Sequence, residues 1–272
     1  MGLYNCLFSF DGKMSEEYDL TLSSVDGSSG MGESNVAGVS SIIEETLSNR
    51  WKPLFYGTAL EDKLEFDISI GLTAERYDEM RPLSRAEVAK ISAWLVGHDT
   101  YKDLVIYDGD LGNYTFKCIV SELSLTGNGC DVWGLTASVT CDSSFAYMKK
   151  QNITVISTTE GTECVIQNES CLNRYYSPIV ILELDNGGDF EIINLTDGGR
   201  SFLFTGIPAA ASTVIIDNEN LVITNSADLN LYKNFNYRFL RLLPGTNELV
   251  VKGNGAVTFI CEYPVNIGGY IS

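Results

Sequence analysis

From Val165 to Cys261 the chain reads as short apolar runs about ten residues apart, most of them closed by a turn signal. The runs fall at 179–184, 190–194, 202–204, 214–216, 221–224, 237–240, 248–251 and 257–261. Between them stand Asn186-Gly187-Gly188-Asp189, Asp197-Gly198-Gly199, Asp217-Asn218-Glu219-Asn220, Pro244-Gly245-Thr246-Asn247 and Lys252-Gly253-Asn254-Gly255. Glycine, proline and asparagine at such intervals leave room only for short strands and tight reversals. The pattern predicts an antiparallel β-sandwich or barrel for this half of the chain.

The first half is mixed. Leu64, Phe66, Ile68 and Ile70 alternate with polar residues, as does a strand with one buried face. The same alternation recurs at Tyr114, Phe116, Cys118 and Val120, and at Trp133, Leu135, Ala137 and Val139. One segment, 85–96, reads firmly as helix. Ser84 and Glu87 form a capping box, and Leu83 is placed to staple onto Val88. Val88, Ile91 and Leu95 line one face with Trp94 beside them, and Gly97 marks the stop. The style of the sequence changes near residue 150, which predicts two domains, 1–150 and 151–272. The Gly/Ser-rich stretch 23–41 predicts a long loop, for which an interaction arm and plain disorder are both open readings.

The chain carries 18 Lys+Arg against 36 Asp+Glu, a formal charge of -18. Binding to phosphate backbones depends on basic patches that release counterions, so this balance argues against a nucleic-acid or anionic-lipid grip. It remains compatible with a passage along which DNA slides without sticking. Hydrophobic residues make up 44%, enough to bury a core. The opening segment has neither a basic region nor a long apolar run, so no signal peptide is expected, and no stretch has the roughly 20 apolar residues of a membrane helix. Cys6 stands where a myristoylation motif wants Ser or Thr. The seven cysteines (6, 118, 130, 141, 164, 171, 261) lack paired spacing and read as reduced, buried thiols. The sequons at Asn113, Asn152, Asn168 and Asn194 then read as chance matches.

Little in the sequence is built for catalysis. His98 is the only histidine; it sits at a helix end, where a surface or structural role fits, and no nucleophile motif accompanies it. One histidine and scattered cysteines make a zinc centre improbable. Asp108-Gly109-Asp110 is expected to be a hairpin turn. Asp185-Asn186-Gly187-Gly188-Asp189 lacks the ligand spacing of a calcium loop. Carboxylates are abundant, but no pair stands out as a glycosidase pair. Neither cofactor nor metal is expected. Tyr175, Tyr176, Tyr232 and Tyr237 could be stacking platforms for sugars, although packing is the commoner use of such residues.

Several segments together resemble the siphophage distal tail (Dit) proteins. The opening Phe8-Ser9-Phe10-Asp11-Gly12-Lys13-Met14-Ser15, with Tyr18 and Leu20, is similar to their first strand. So is the central order of the strand at 64–70, the Leu83-Ser84-Arg85-Ala86-Glu87 helix start, Trp94-Leu95, Tyr107, 114–119, 133–139 and Phe145-Ala146-Tyr147. The Leu243–Asn247 turn followed by two strands resembles the end of their second domain. The resemblance implies a mainly β chain: an N-terminal tail-tube-like β-sandwich or barrel with one α-helix, and a C-terminal galectin-like β-sandwich. It implies no catalytic residues. It implies a structural baseplate hub in the phage virion, synthesised in the host cytoplasm: a homohexameric ring that joins the tail tube protein to the tail-tip protein. The second domain would be available to receptor-binding or other baseplate proteins, and DNA would pass through a channel without specific binding or membrane insertion. The expected ring contacts are Leu64, Phe66, Ile68 and Ile70 on one strand, Trp94 on the helix, and Met31 and Val36 in the 23–41 arm. A stand-alone carbohydrate-binding β-sandwich is the alternative reading.

Overall fold

The computed structural model of the chain describes residues 6–22, 40–60 and 63–268. These form two compact units: Lys149–Val265 makes the second, and the first takes the chain before it and the short stretch after it.

The first unit carries strands β1 (Leu7–Phe10), β2 (Lys13–Met14), β3 (Leu20–Leu22), β4 (Ser40–Glu45), β5 (Leu54–Leu60), β6 (Glu65–Leu72), β7 (Lys102–Tyr107), β8 (Tyr114–Asn128), β9 (Asp131–Cys141) and β10 (Ala146–Met148). Most pair in the order β2-β1-β7-β8-β9-β6-β3, with β10 added along β8. Just before β1, Cys6 bridges antiparallel to Leu22 at the end of β3, with the Leu22 N–H donating to the Cys6 carbonyl at 2.7 Å. That bridge brings β3 beside the start of β1 and closes the sheet into a barrel, with part of the β6 edge left without a described strand. Inside lie Phe8, Phe10, Leu20, Ile68, Ile70, Leu104, Ile106, Phe116, Leu135 and Val139, all buried. The alternation in the sequence arises here, because every second residue of a strand points to the same face.

Two helices follow β6: α1 (Ala74–Asp78) and α2 (Arg85–Leu95). The capping box at the start of α2 is present, with Ser84 Oγ accepting from the Glu87 N–H and Glu87 Oε2 accepting from the Ser84 N–H at 2.8 Å. The short α1 is an addition to the sequence expectation. Its Thr73 N-cap makes no side-chain bond, so the usual start signal is missing. Buried Arg76 fixes it instead, pairing with Glu87 at 2.9 Å and Asp19 at 3.1 Å and donating to the Arg81 and Pro82 carbonyls.

The second unit is built from two antiparallel sheets. One has the order β11 (Gln151–Ser157), β19 (Gly255–Cys261), β13 (Ile179–Leu184), β16 (Thr213–Asp217), β17 (Val222–Asn225). The other runs β12 (Thr162–Asn168), β18 (Gly245–Lys252), β14 (Gly188–Asn194), β15 (Arg200–Ile207). Val180, Leu182, Val257, Phe259, Phe190, Ile192, Phe202, Phe204, Leu249 and Val251 supply its core. Buried amides satisfy the backbone where the strands leave the sheets. Asn247 accepts from the Leu243 N–H at 2.8 Å and from Asn194 Nδ2 at 3.2 Å, and Asn218 donates to the Pro178 carbonyl at 2.6 Å.

Two sequence expectations need correction. The run 237–240 is not a strand: Tyr237 has a left-handed φ of 59°, which breaks extended pairing, and aromatic contacts to Phe235 and Tyr232 hold it there. Asp108-Gly109-Asp110 does lie in the connection of the antiparallel β7–β8 hairpin, but as the opening of a 3-10 turn over Gly109–Asn113 and not as a tight reversal.

Candidate assembly surfaces

The candidate contact residues divide sharply by position. Leu64, Ile68 and Ile70 are buried within their own barrel, and Phe66 packs edge-on against Phe116 with ring centroids 5.2 Å apart. Trp94 is buried as well. It stacks on Tyr18 at 4.4 Å and on Phe8 at 5.7 Å, and its Nε1–H donates to the Phe10 carbonyl at 2.9 Å. Leu64, Ile68, Ile70 and Trp94 are therefore barrel core and not surface contacts, because the apolar alternation that singles them out is itself the signature of burial, whereas Phe66 is half-buried. Met31 and Val36 lie outside the described residues.

What β6 does offer is backbone. β9 covers one edge along Glu65–Gly71, but on the other edge β3 pairs only with Ile70–Leu72. Along 65–69 that edge carries no described strand.

The larger feature is one that the sequence reading passed over. β4 and β5 pair with each other and with no other described strand. Between residues 41 and 59 no side chain is buried. Trp51 is 96% exposed, and Ile42, Phe55 and Tyr56 are each more than half exposed. Four large apolar side chains this exposed on one hairpin exceed the scattered single ones that a protein surface normally shows. An isolated two-stranded hairpin is also marginal in water.

A third surface is polar. The outward rows of the β8-β9-β6 sheet read Ile119–Thr140–Glu65, Glu122–Ser138–Asp67 and Ser124–Thr136–Ser69. They present three carboxylates, five hydroxyls and a single isoleucine, with no cation. Two of the hydroxyls are tied down, Ser124 Oγ donating to the Thr136 carbonyl and Thr140 Oγ1 to Glu65 Oε1, both at 3.4 Å. Further along the same strands the sheet is pinched at Gly134, where a Cβ would meet the Ile70 carbonyl oxygen at 2.7 Å.

Nothing in this geometry resembles a reaction centre. His98 donates through Nε2–H to the Trp94 carbonyl at 2.7 Å and packs against Phe10, as a residue that finishes a helix does. Among the described residues no cluster of His, Cys, Asp or Glu could hold a metal ion, and no helix is long and apolar enough to cross a membrane. None of the seven cysteines is in a disulfide; Cys6, Cys118, Cys141 and Cys261 are buried, whereas Cys130 and Cys171 are exposed, contrary to a uniformly buried set. The strongest electrostatic perturbation of a carboxylate is structural. Glu87 is held down to about 2, first by the Arg76 guanidinium and then by the Ser84 N–H and hydroxyl.

Residues 4–143 match the family model for a phage tail protein N-terminal domain, and residues 145–261 match that for a phage tail C-terminal domain. The chain belongs to this phage tail protein family. The fold of this tail protein is similar to that of the Dit protein of phage SPP1, with a TM-score of 0.61 at 12% identity over 95% of this chain and 99% of that one. SPP1 Dit is described as a paradigm of the hub adsorption apparatus in phages that infect Gram-positive bacteria. A chain of the phage P2 baseplate in its activated conformation is similar at a TM-score of 0.53 and 11% identity, covering 96% of this chain and 99% of that one. No curated protein sequence matches the chain. The tail protein is thus mainly β with a Dit-like fold, and its family is structural, not enzymatic.

Proposed function

We propose that this tail protein is the hub subunit at the tail tip: six copies close into a ring that joins the tail tube protein to the tail-tip protein and leaves a channel for DNA. The observation that carries this reading is the β4–β5 hairpin, which exposes Ile42, Trp51, Phe55 and Tyr56 and has no buried side chain from 41 to 59. A ring subunit presents surfaces that only its neighbours cover, and cyclic closure satisfies every copy at once. In this reading the hairpin of one subunit packs on the next, beside the open 65–69 edge of β6. The description of SPP1 Dit as a hub supports it. The rows of Glu65, Asp67 and Glu122 among serine and threonine suit the channel wall, since carboxylates repel a passing polyanion and small hydroxyls leave a smooth surface. The second unit is then the part that holds receptor-binding or other baseplate proteins.

Native mass spectrometry of the full chain, with and without the adjoining tube and tail-tip proteins, tests the ring. A six-fold mass with a central opening in electron micrographs is expected. A chain that stays monomeric in every mixture sinks the proposal. For the channel, neutralising Glu65, Asp67 and Glu122 together should slow DNA ejection from assembled particles, and an unchanged rate would remove these residues from the wall.

A further inference from the structure

Cys118 on β8 stands directly opposite Cys141 on β9 in the antiparallel ladder. The neighbouring pair exchanges a backbone bond, from the Asp142 N–H to the Lys117 carbonyl at 2.8 Å, while the Cys141 N–H turns away to the Leu64 carbonyl at 2.9 Å. Alternation along an antiparallel ladder makes 118–141 a non-hydrogen-bonded pair, the type in which Cα atoms lie about 4.5 Å apart and side chains are closest. That separation falls within the range a disulfide spans. Both side chains are fully buried on the core face, so they point the same way into one small space. The other cysteines that lie in a ladder or bridge face other residues: Cys6 faces Leu22, Cys164 faces Leu249 and Cys261 faces Gln151.

We infer that Cys118 and Cys141 are a disulfide-forming pair, able to staple β8 to β9 when the chain folds or opens in the presence of a small-molecule disulfide. A thiolate at Cys141 attacks the small disulfide and keeps one of its sulfurs, releasing the other half as a thiol. The Cys118 thiolate then attacks the Cys141 sulfur, and the second half leaves as a thiol. Two electrons and two protons pass from the cysteine pair to the oxidant. Burial also makes the folded pair slow to react. It pushes both thiols up, Cys141 to about 12, and the approaching Cys141 charge adds to the effect at Cys118. The pair therefore stays reduced in a folded subunit inside a reducing cytoplasm and closes only where strands form or part under oxidising conditions. This staple is a property of the single subunit and does not depend on ring formation.

The test is refolding of the full reduced chain in mixtures of reduced and oxidised glutathione, quenched by alkylation and mapped by peptide mass spectrometry. At oxidising ratios the linked 118–141 peptide should dominate the natively folded product, and its Tm should lie several degrees above that of the same sample treated with dithiothreitol. A Cys130→Ser/Cys171→Ser variant, altered only at exposed thiols, should give the same linkage. Cys118→Ala should leave Cys141 open to alkylation after denaturation. A folded product with both thiols free at every ratio, or with either one linked mainly to another cysteine, overturns the inference.

Discussion

The first unit contains two antiparallel strand pairs that look alike in the backbone and differ in everything else. β8 and β9 lie in the middle of the barrel, with Phe116, Cys118, Val120, Leu135, Ala137 and Val139 buried. β4 and β5 pair just as regularly, apart from one bulge after Ile43, yet bury no side chain between 41 and 59. The difference lies in where each pair finds its second layer. β8–β9 finds it in the same chain, whereas the hairpin leaves apolar residues exposed, and in the proposed ring a neighbouring subunit would supply the second layer. Hydrophobic burial contributes about 25 cal/mol per Å² wherever the partner comes from, so the same residue types stabilise the fold in one place and assembly in the other.

That contrast can be broken by substitutions read on the isolated subunit. The largest effect belongs to Phe116→Ala, which empties a fully buried site against Phe66 and should cost about 3–5 kcal/mol in urea unfolding. Gly134→Ala comes next. Its new Cβ would collide with the Ile70 carbonyl oxygen, and overpacking of this kind costs about 1–3 kcal/mol, measurable by the same titration.

A smaller effect, but one with a distinctive pH signature, comes from Glu87. Its carboxyl is lowered in the folded state from 4.5 to about 2, so its ion pair and cap stabilise the fold fully above the ordinary value. That contribution should fade as pH falls from about 4.5 towards about 2 and should be missing in Glu87→Gln. Equal acid sensitivity in the two proteins would remove Glu87 from this role. Least of all should happen to the isolated subunit in Trp51→Ser/Phe55→Ser, where stability should stay within about 0.5 kcal/mol of the parent. The same variant should lose the ring mass in native spectra. A large loss of monomer stability would instead mean that the hairpin packs within its own chain.

The α2 helix was legible because its signals are local: Ser84 and Glu87 close the capping box within four residues. The β6, β8 and β9 strands were legible because burial on one face writes a two-residue period. The β4–β5 hairpin was not, since with neither face buried in its own subunit Ile42, Ile43, Phe55 and Tyr56 show no alternation to read. Trp94 and Ile68 were misplaced for the opposite reason. Strong apolar signals report the core before they report a contact surface. The short α1 escaped because Arg76, which anchors it, draws its partners from Asp19 and Glu87, far away in the chain.

The sequence alone determined the β-rich class, the capped helix, the lack of catalytic equipment and the excess of negative charge, since each depends on residue type or on neighbours a few positions apart. Tertiary structure decided the rest. The bridge from Cys6 to Leu22 closes the barrel. Register gathers Glu65, Asp67 and Glu122 onto one polar face and sets Cys118 opposite Cys141. The β4–β5 hairpin is left with Ile42, Trp51, Phe55 and Tyr56 exposed. All of these depend on which distant strands pair and in what register, a choice made by packing the whole core and not by any local run of residues.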